Sequence, residues 1–209
     1  STDPDKRAEQ EAFREEKLEP LLAAAKAGHQ AVFFVDAAHF VHTTYLGMLW
    51  CFTRVFIPSP SGRKRFNVLG AINAGTQEIT TITNEAYINA ESVGQLLRKL
   101  AALGLDMPIT LVLDNARYQK CAVVFQLAAE LGITLLYLPA YSPHLNLIER
   151  LWRFIRKECL YSKYYADFAT FKSAITTVID TAPVAKKAQL ASLMTLNFQS
   201  FKKVQILAA

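Results

Sequence analysis

Cysteine is scarce in this 209-residue chain, and what there is does not pair. Cys51, Cys121 and Cys159 are odd in number, and no two of them stand in a Cys-x-x-Cys spacing. That argues against a disulfide framework and for reduced thiols in a cytoplasmic protein. No His/Cys cluster has zinc spacing, and neither a Gly-x-x-x-x-Gly-Lys loop nor a nucleophile elbow occurs. Long apolar runs are missing as well, so no membrane span is expected. The first 20 residues are charged and do not read as a signal peptide. Repeats and low-complexity tracts are absent.

What the chain does have is apolar residues and positive charge. Half of it (52%) is apolar, enough to bury a sizeable core, and 20% is charged, a little below the roughly 25% of an average globular domain. The net charge of +5 hides an asymmetry: seven acids and four bases fall in residues 1–20, which leaves 11 acids and 19 bases, a net +8, for residues 21–209. A basic body behind an acidic leader suits a polyanionic partner, nucleic acid among them.

Residues 5–27 carry interleaved charges with recurring Phe13, Leu18, Leu21, Leu22 and Ala25, a helical leader that Pro20 should kink or divide and Gly28 should stop. It reads either as a linker from an upstream domain or as a helix packed on the core. Ala31–Val35 is a β-branched and aromatic run too short for a buried helix, hence a central strand with Asp36 at its end. Residues 45–57 suggest an irregular strand, followed by a Pro/Ser loop and the basic triplet Arg63, Lys64 and Arg65, a candidate phosphate contact. Residues 66–73 and 78–83 flank a hairpin signal and complete a three-stranded meander. From Asn89 the period changes to that of a helix ended by Gly104. Strand 109–113, a helix from about Arg117 to Leu131, strand 133–138 and a helix opening near Ser142 follow. Strands joined through helices run parallel and are covered on both faces. The expectation is an α/β fold with a mixed five-stranded sheet flanked by helices. Its parts are a leader over residues 1–29, a core over 30–163 and a helical extension over 164–209, in which Pro183 separates two helices and Phe168, Phe171, Ile175, Val178 and Ile179 belong to the core.

Three isolated acids stand out in that layout. Asp36 and Asp114 each end a strand, and if those strands are neighbours both carboxylates emerge at one sheet edge, where ligands of open α/β sheets collect. Glu149 lies 35 positions after Asp114, in the second turn of the helix that Ser142 caps and Pro143 opens. Leu145, Ile148, Trp152, Ile155 and Cys159 form that helix's apolar stripe, with Glu149 at its edge and Arg150, Arg153 and Lys157 together on a face turned to solvent or to a polyanion. Three converging carboxylates in a basic protein suit two Mg²⁺ ions about 3.5–4 Å apart, with Mn²⁺ as a substitute, for phosphodiester displacement. Asn115, Arg117, Tyr118, Tyr141, Ser142 and His144 flank the acids as candidate contacts to the nucleic-acid backbone, whereas His39 and His42 read as structural.

Val-Asp-Ala-Ala-His (35–39), Leu-Asp-Asn-Ala-Arg-Tyr (113–118) and Tyr-Ser-Pro-His-Leu-Asn-Leu-Ile-Glu-Arg-Leu-Trp (141–152) resemble the DDE transposases, in particular the bacterial insertion-sequence branch of the mariner-like superfamily. The likeness covers about residues 30–180. It implies a ribonuclease H-like fold with Asp36, Asp114 and Glu149 as the metal-binding catalytic triad. It also implies hydrolysis at transposon ends and attack of the freed 3′-hydroxyl on target DNA at TA dinucleotides. A homodimer assembled on DNA and a nucleoid-associated location in a bacterial cytoplasm belong to the same expectation. The chain departs from the pattern at Leu147, where the family often has Pro, and at Gln119, near which it often has His. Residues 1–27 are too short for the end-binding helix-turn-helix region, so the chain reads as a catalytic core. Three other readings compete: a nuclease that cuts without joining, a DNA-binding protein that keeps the fold without the activity, and a regulatory fragment that inhibits a longer transposase.

Overall fold

A computed structural model describes residues 4–43 and 64–196. The expected strand at 45–57, its loop, Arg63 and Cys51 lie outside the described residues. The leader is helical and packs on the core. Helix α1 (Pro4–Phe13) passes through one stretch of π-helix (Arg14–Leu18) into α2 (Glu19–Lys26). Pro20 stands in the first turn of α2, where a missing N–H costs least, and the wider π turn ahead of it takes up the register change. Leu18, Leu22 and Ala25 are buried in the core, each leucine contributing roughly 1.5–3 kcal/mol of burial.

The sheet, among the described residues, has five strands in the order β3-β2-β1-β4-β5. Strands β1 (Ala31–Val41), β2 (Arg65–Asn73) and β3 (Ile79–Asn84) form the antiparallel meander, and β4 (Ile109–Leu113) and β5 (Ile133–Tyr137) run parallel to β1. Strand β1 is longer than its apolar run suggests. It pairs with β4 only from Ala31–Ile109 to Phe34–Val112, but with β2 as far as Val41–Arg65. Asp36 is therefore inside the strand rather than at its end. Ala38 and Phe40 keep the even positions buried, an alternation that Asp36 and His39 obscure in the sequence.

Period-2 alternation sorts the core into two layers. Even residues of β1 (Val32, Phe34, Ala38, Phe40), with Val68, Ile72 and Val112, face a layer that includes α2, α5 (Ile148–Cys159), α6 (Phe168–Ala185) and α7 (Lys187–Leu193). Odd residues (Ala31, Phe33, Val35), with Leu69, Leu111 and Leu113, face α3 (Ala90–Ala101) and α4 (Ala122–Glu130). Asn89 opens α3 with a reciprocal cap: its side chain accepts the Ser92 N–H at 3.0 Å and its N–H reaches the Ser92 hydroxyl at 3.3 Å. Gly104 and Gly132, at φ +63° and +69°, turn the chain out of α3 and α4.

Three helices differ from their sequence-based limits. Helix α4 begins at Ala122, not near Arg117, because the Ala116 N–H turns back to the Asp114 carboxylate (3.0 Å) and the Ala116 carbonyl then accepts from Gln119 and Lys120. The helix expected from Ser142 is a short 3₁₀ turn, Pro143–Leu145, then an extended residue, Asn146 (ψ 101°), and only then α5. Ser142 makes no cap; its hydroxyl donates to the Ala140 carbonyl at 3.3 Å. Pro183 lies inside α6, which continues to Ala185 and breaks at Lys186 (φ −125°), so the proline removes one hydrogen bond without ending the helix. Phe171, Ile175 and Ile179 on this helix are buried.

Helix α5 seats against the sheet through one close approach. A Cβ built on Gly70 would stand 2.4 Å from Trp152 Cη2 and 2.8 Å from its Cζ2, and Trp152 is 1% exposed. Gly70 is the cross-strand partner of Asp36. The missing side chain thus lets the benzo edge of the indole approach the strand beside the acid and sets how near α5 comes to the sheet. Gly70→Ala is expected to force Trp152 out of place and to lower stability by roughly 1–3 kcal/mol in urea unfolding; a midpoint equal to the parent's would mean that α5 does not seat there.

Candidate metal and nucleic-acid site

Asp36 and Asp114 are brought together by strand register. Phe34 pairs with Val112, and continuing that register by two residues sets position 36 beside 114 on the even-numbered face, the one α5 covers. The strands separate there, and the space between them opens into a cavity of about 390 Å³. Its lining includes Asp36, Asp114 and Glu149, with Asn115 and Asn146, and its rim runs from Leu138 to Pro143. Glu149 comes from the first turn of α5, one turn earlier than expected, because the helix opens at Ile148.

Burial, foremost, pushes the Asp36 carboxyl up from 3.8 to about 7, and the charges of Glu149 and Asp114 with a Glu149 side-chain hydrogen bond add to it, against the Ala37 N–H, which lowers it. Asp36 and Glu149 are thus within hydrogen-bonding reach. Burial likewise raises the Tyr118 hydroxyl to about 12, against a hydrogen bond with Gln119 that lowers it, and the charges of Asp36 and Asp114 add to the rise. Among the described residues no three His, Cys, Asp or Glu side chains are already gathered around one ion position; the three carboxylates share a cavity without converging on a point in it.

The donor set nonetheless fits a hard divalent cation. It is all oxygen, Asp36 is held near two like charges in a partly dry site, and Asn146, which lines the cavity, buries its Oδ1 without a hydrogen-bond partner. A cation would offset the like charges around Asp36.

The other candidates divide. Asn115, Tyr141 and Ser142 line the cavity. Asn115 ties the end of β4 to β5 through Nδ2 to the Leu138 carbonyl (2.5 Å) and accepts from Lys120 at 2.9 Å. Tyr141 is 77% exposed at φ +58°, a left-handed conformation that costs a non-glycine residue roughly 1–2 kcal/mol. Gln10 of α1 donates to its carbonyl at 3.3 Å, and the Lys6 ammonium lies 5.1 Å from its ring. Arg117 and His144 are exposed near the rim. Lys64 and Arg65 are elsewhere: Arg65 pairs with Val41, five residues along β1 from Asp36, about 17 Å away at strand rise. Arg153 and Lys157 are exposed, but Arg150 does not share their solvent face. Its guanidinium donates to the Leu193 and Thr195 carbonyls (2.9 and 2.6 Å), tying α5 to the end of α7.

His39 and His42 have structural partners, Asn67 Oδ1 at 2.7 Å and the Tyr165 carbonyl at 2.9 Å. Gln119 is fully buried, its amide donating to Tyr118 Oη at 3.2 Å. Leu147 is fully buried too, and its φ of −64° behind an extended Asn146 is one that proline adopts. The family's proline and this leucine therefore suit the same backbone. Sequence reasoning passed over Gly70 and Asn146. The signal for Asn146 was an amide inside the otherwise apolar run Leu145-Asn-Leu-Ile148.

Comparison with known proteins bears on the whole of this layout. A curated Shigella sonnei protein, the insertion element IS630 uncharacterized 39 kDa protein, is 26% identical over 98 residues, 46% of this chain and 29% of that protein. The Mos1 mariner paired end complex with Mn matches with a TM-score of 0.60 at 13% identity, over 95% of this chain and 65% of that one. The catalytic domain of Mos1 mariner transposase matches with a TM-score of 0.54 at 15% identity, over 90% and 95%. At such identities the solved structures establish the fold, a ribonuclease H-like one. The chain spans under a third of the curated relative and just under two thirds of the Mos1 chain in that complex. The family model described as DDE superfamily endonuclease matches residues 31–172, a span that holds Asp36, Asp114 and Glu149 and most of the described fold, and the chain belongs to that family.

Proposed function

We propose that this chain is the catalytic core of a DNA transposase, with the core chemistry in residues 30–163 and Asp36, Asp114 and Glu149 as its catalytic acids. The observation that carries the reading is the meeting of three carboxylates, from within β1, from the end of β4 and from the first turn of α5, in one open cavity. Asp36, whose carboxyl feels the charges of both others, Asp114 and Glu149 would together hold two divalent cations; Mg²⁺ ions, or Mn²⁺ in their place, would supply activation of the attacking oxygen and neutralisation of the leaving one.

The remaining work falls to the chain itself. Strand β1 fixes Asp36 through β2 pairing on one side, so that its carboxylate cannot retreat into the core. The Ala116 N–H holds one Asp114 oxygen at 3.0 Å, which fixes the carboxylate at the cavity wall. Asn115, Tyr141 and Ser142 edge the mouth, where a phosphodiester backbone would pass, and Arg117, Tyr118 and His144 are near enough to extend that contact. Lys64 and Arg65, with Arg153 and Lys157, offer charge farther out. The reaction is hydrolysis of a strand at the transposon end, followed by attack of the new 3′-hydroxyl on target DNA, at TA sites in the reading that the resemblance favours. The Mos1 transposase paired-end complex with left transposon end supports DNA as the partner, and two copies of this chain assembled on DNA is what the family resemblance implies. No described helix is long and apolar enough to cross a membrane; a bacterial cytoplasm is the setting that the family resemblance implies.

Asp36→Ala, Asp114→Ala and Glu149→Ala are each expected to abolish Mg²⁺-dependent strand cleavage while leaving the circular dichroism spectrum unchanged; retained cleavage by Glu149→Ala would remove it from the site. Incubating a 3′-hydroxyl end with target plasmid separates transposase from plain nuclease, since only the former yields joined product. Asp36→Asn keeps the side chain's shape and removes one of three neighbouring negative charges. It is expected to be inactive yet more stable than the parent in chelator at pH 8, by on the order of 2 kcal/mol, read as a higher melting temperature.

A further inference from the structure

Asn146 touches both halves of the site at once. Its Nδ2 donates to the Val35 carbonyl at 3.1 Å, across 111 residues of sequence, and its own carbonyl accepts the Glu149 N–H at 3.1 Å. Val35 immediately precedes Asp36 and is the first residue past the last β1–β4 pair. Where β4 lets go of β1, an amide from the approach to α5 takes over. One residue therefore links the backbone that carries Asp36 to the backbone that carries Glu149.

Packing alone does not account for an amide here. Leu145, Leu147 and Ile148 around it are all buried, Asn146 is 3% exposed although the residue lines the acid cavity, and its Oδ1 is buried without a hydrogen-bond partner. A leucine would fill the same space without burying a half-used polar group. The extended backbone at Asn146, between the 3₁₀ turn and α5, also gives up helix continuity so that the side chain can reach β1.

We propose that Asn146 is a positioning residue that fixes the separation of Asp36 and Glu149 and thereby sets the affinity of the site for divalent cations. This rests on the transposase reading, in which those acids hold the metal. Groups that orient the ligands of a metal typically change its affinity by about 10–100-fold when removed, whereas a change that only loosens the core would not.

The test titrates the full chain with Mn²⁺ and follows the free ion by electron paramagnetic resonance, comparing the parent with Asn146→Leu, Glu149→Gln and Ile155→Val. Ile155 is fully buried on α5 and does not line the cavity, so its variant reports what loosening of the core does by itself. The expected result is Mn²⁺ binding by the parent, its loss in Glu149→Gln, a weakening of about tenfold in Asn146→Leu and parent-like affinity in Ile155→Val. In cleavage assays the Mg²⁺ concentration for half-maximal rate should rise for Asn146→Leu more than the rate at saturation falls. Asn146→Ala carries the same expectation and serves where the leucine variant does not fold. Parent-like affinity in both Asn146 variants overturns the proposal, as does equal weakening in Ile155→Val. A parent that binds no Mn²⁺ overturns the metal-site reading itself and the role of Asn146 with it.

Discussion

Asp36, Asp114 and Glu149 repel one another, and the cavity that holds them removes part of the water that would screen that repulsion. A chain left to relax would move the three apart. The surrounding structure can be understood as what prevents this. Strand β1 continues past β4 and stays hydrogen bonded to β2 on either side of Asp36, so its backbone cannot swing away. The turn after Asp114 is closed by that residue's own carboxylate. Helix α5 is held at two points in its first half, by Trp152 against Gly70 and by Arg150 to the carbonyls at the end of α7.

The two layers of the core divide this labour. The odd-numbered face of the sheet, with α3 and α4, is apolar and carries none of the three acids. The even-numbered face holds α5 and the acids together, and there the packing is interrupted by polar groups, Asn146 among them. Functional sites are where such local conflicts between packing and polarity are expected to collect. Tyr141, in a left-handed conformation at the cavity rim, is another.

Much of this was legible in the sequence, for a physical reason: side-chain periodicity reports which face of an element is buried. The meander, the parallel strands and α3 with its glycine stop follow from period and connection, whereas the adjacency of β1 and β4 enters the sequence reading only as a condition. The candidate acids were legible because a carboxylate beside a buried apolar run is conspicuous. What stayed hidden depended on long-range contacts. The true length of β1 is set by β2, and the start of α5 by Asn146 reaching a carbonyl 111 residues away. The onset of α4 is set by the turn at Asp114, and the restraint on Arg150 by carbonyls more than 40 positions later. Glycine at position 70 reads in sequence as a weak spot in a strand; only Trp152 explains it.

Gly70 and Trp152 also constrain one another's identity. With 2.4 Å between a Cβ at one and the ring of the other, position 70 cannot gain a side chain while the indole stays in place. A larger residue at 70 is tolerated only after the indole has shrunk, and an indole is admitted at 152 only where 70 is already bare. A side chain at position 70 therefore calls for a smaller residue at 152, so that the two positions act as one steric unit.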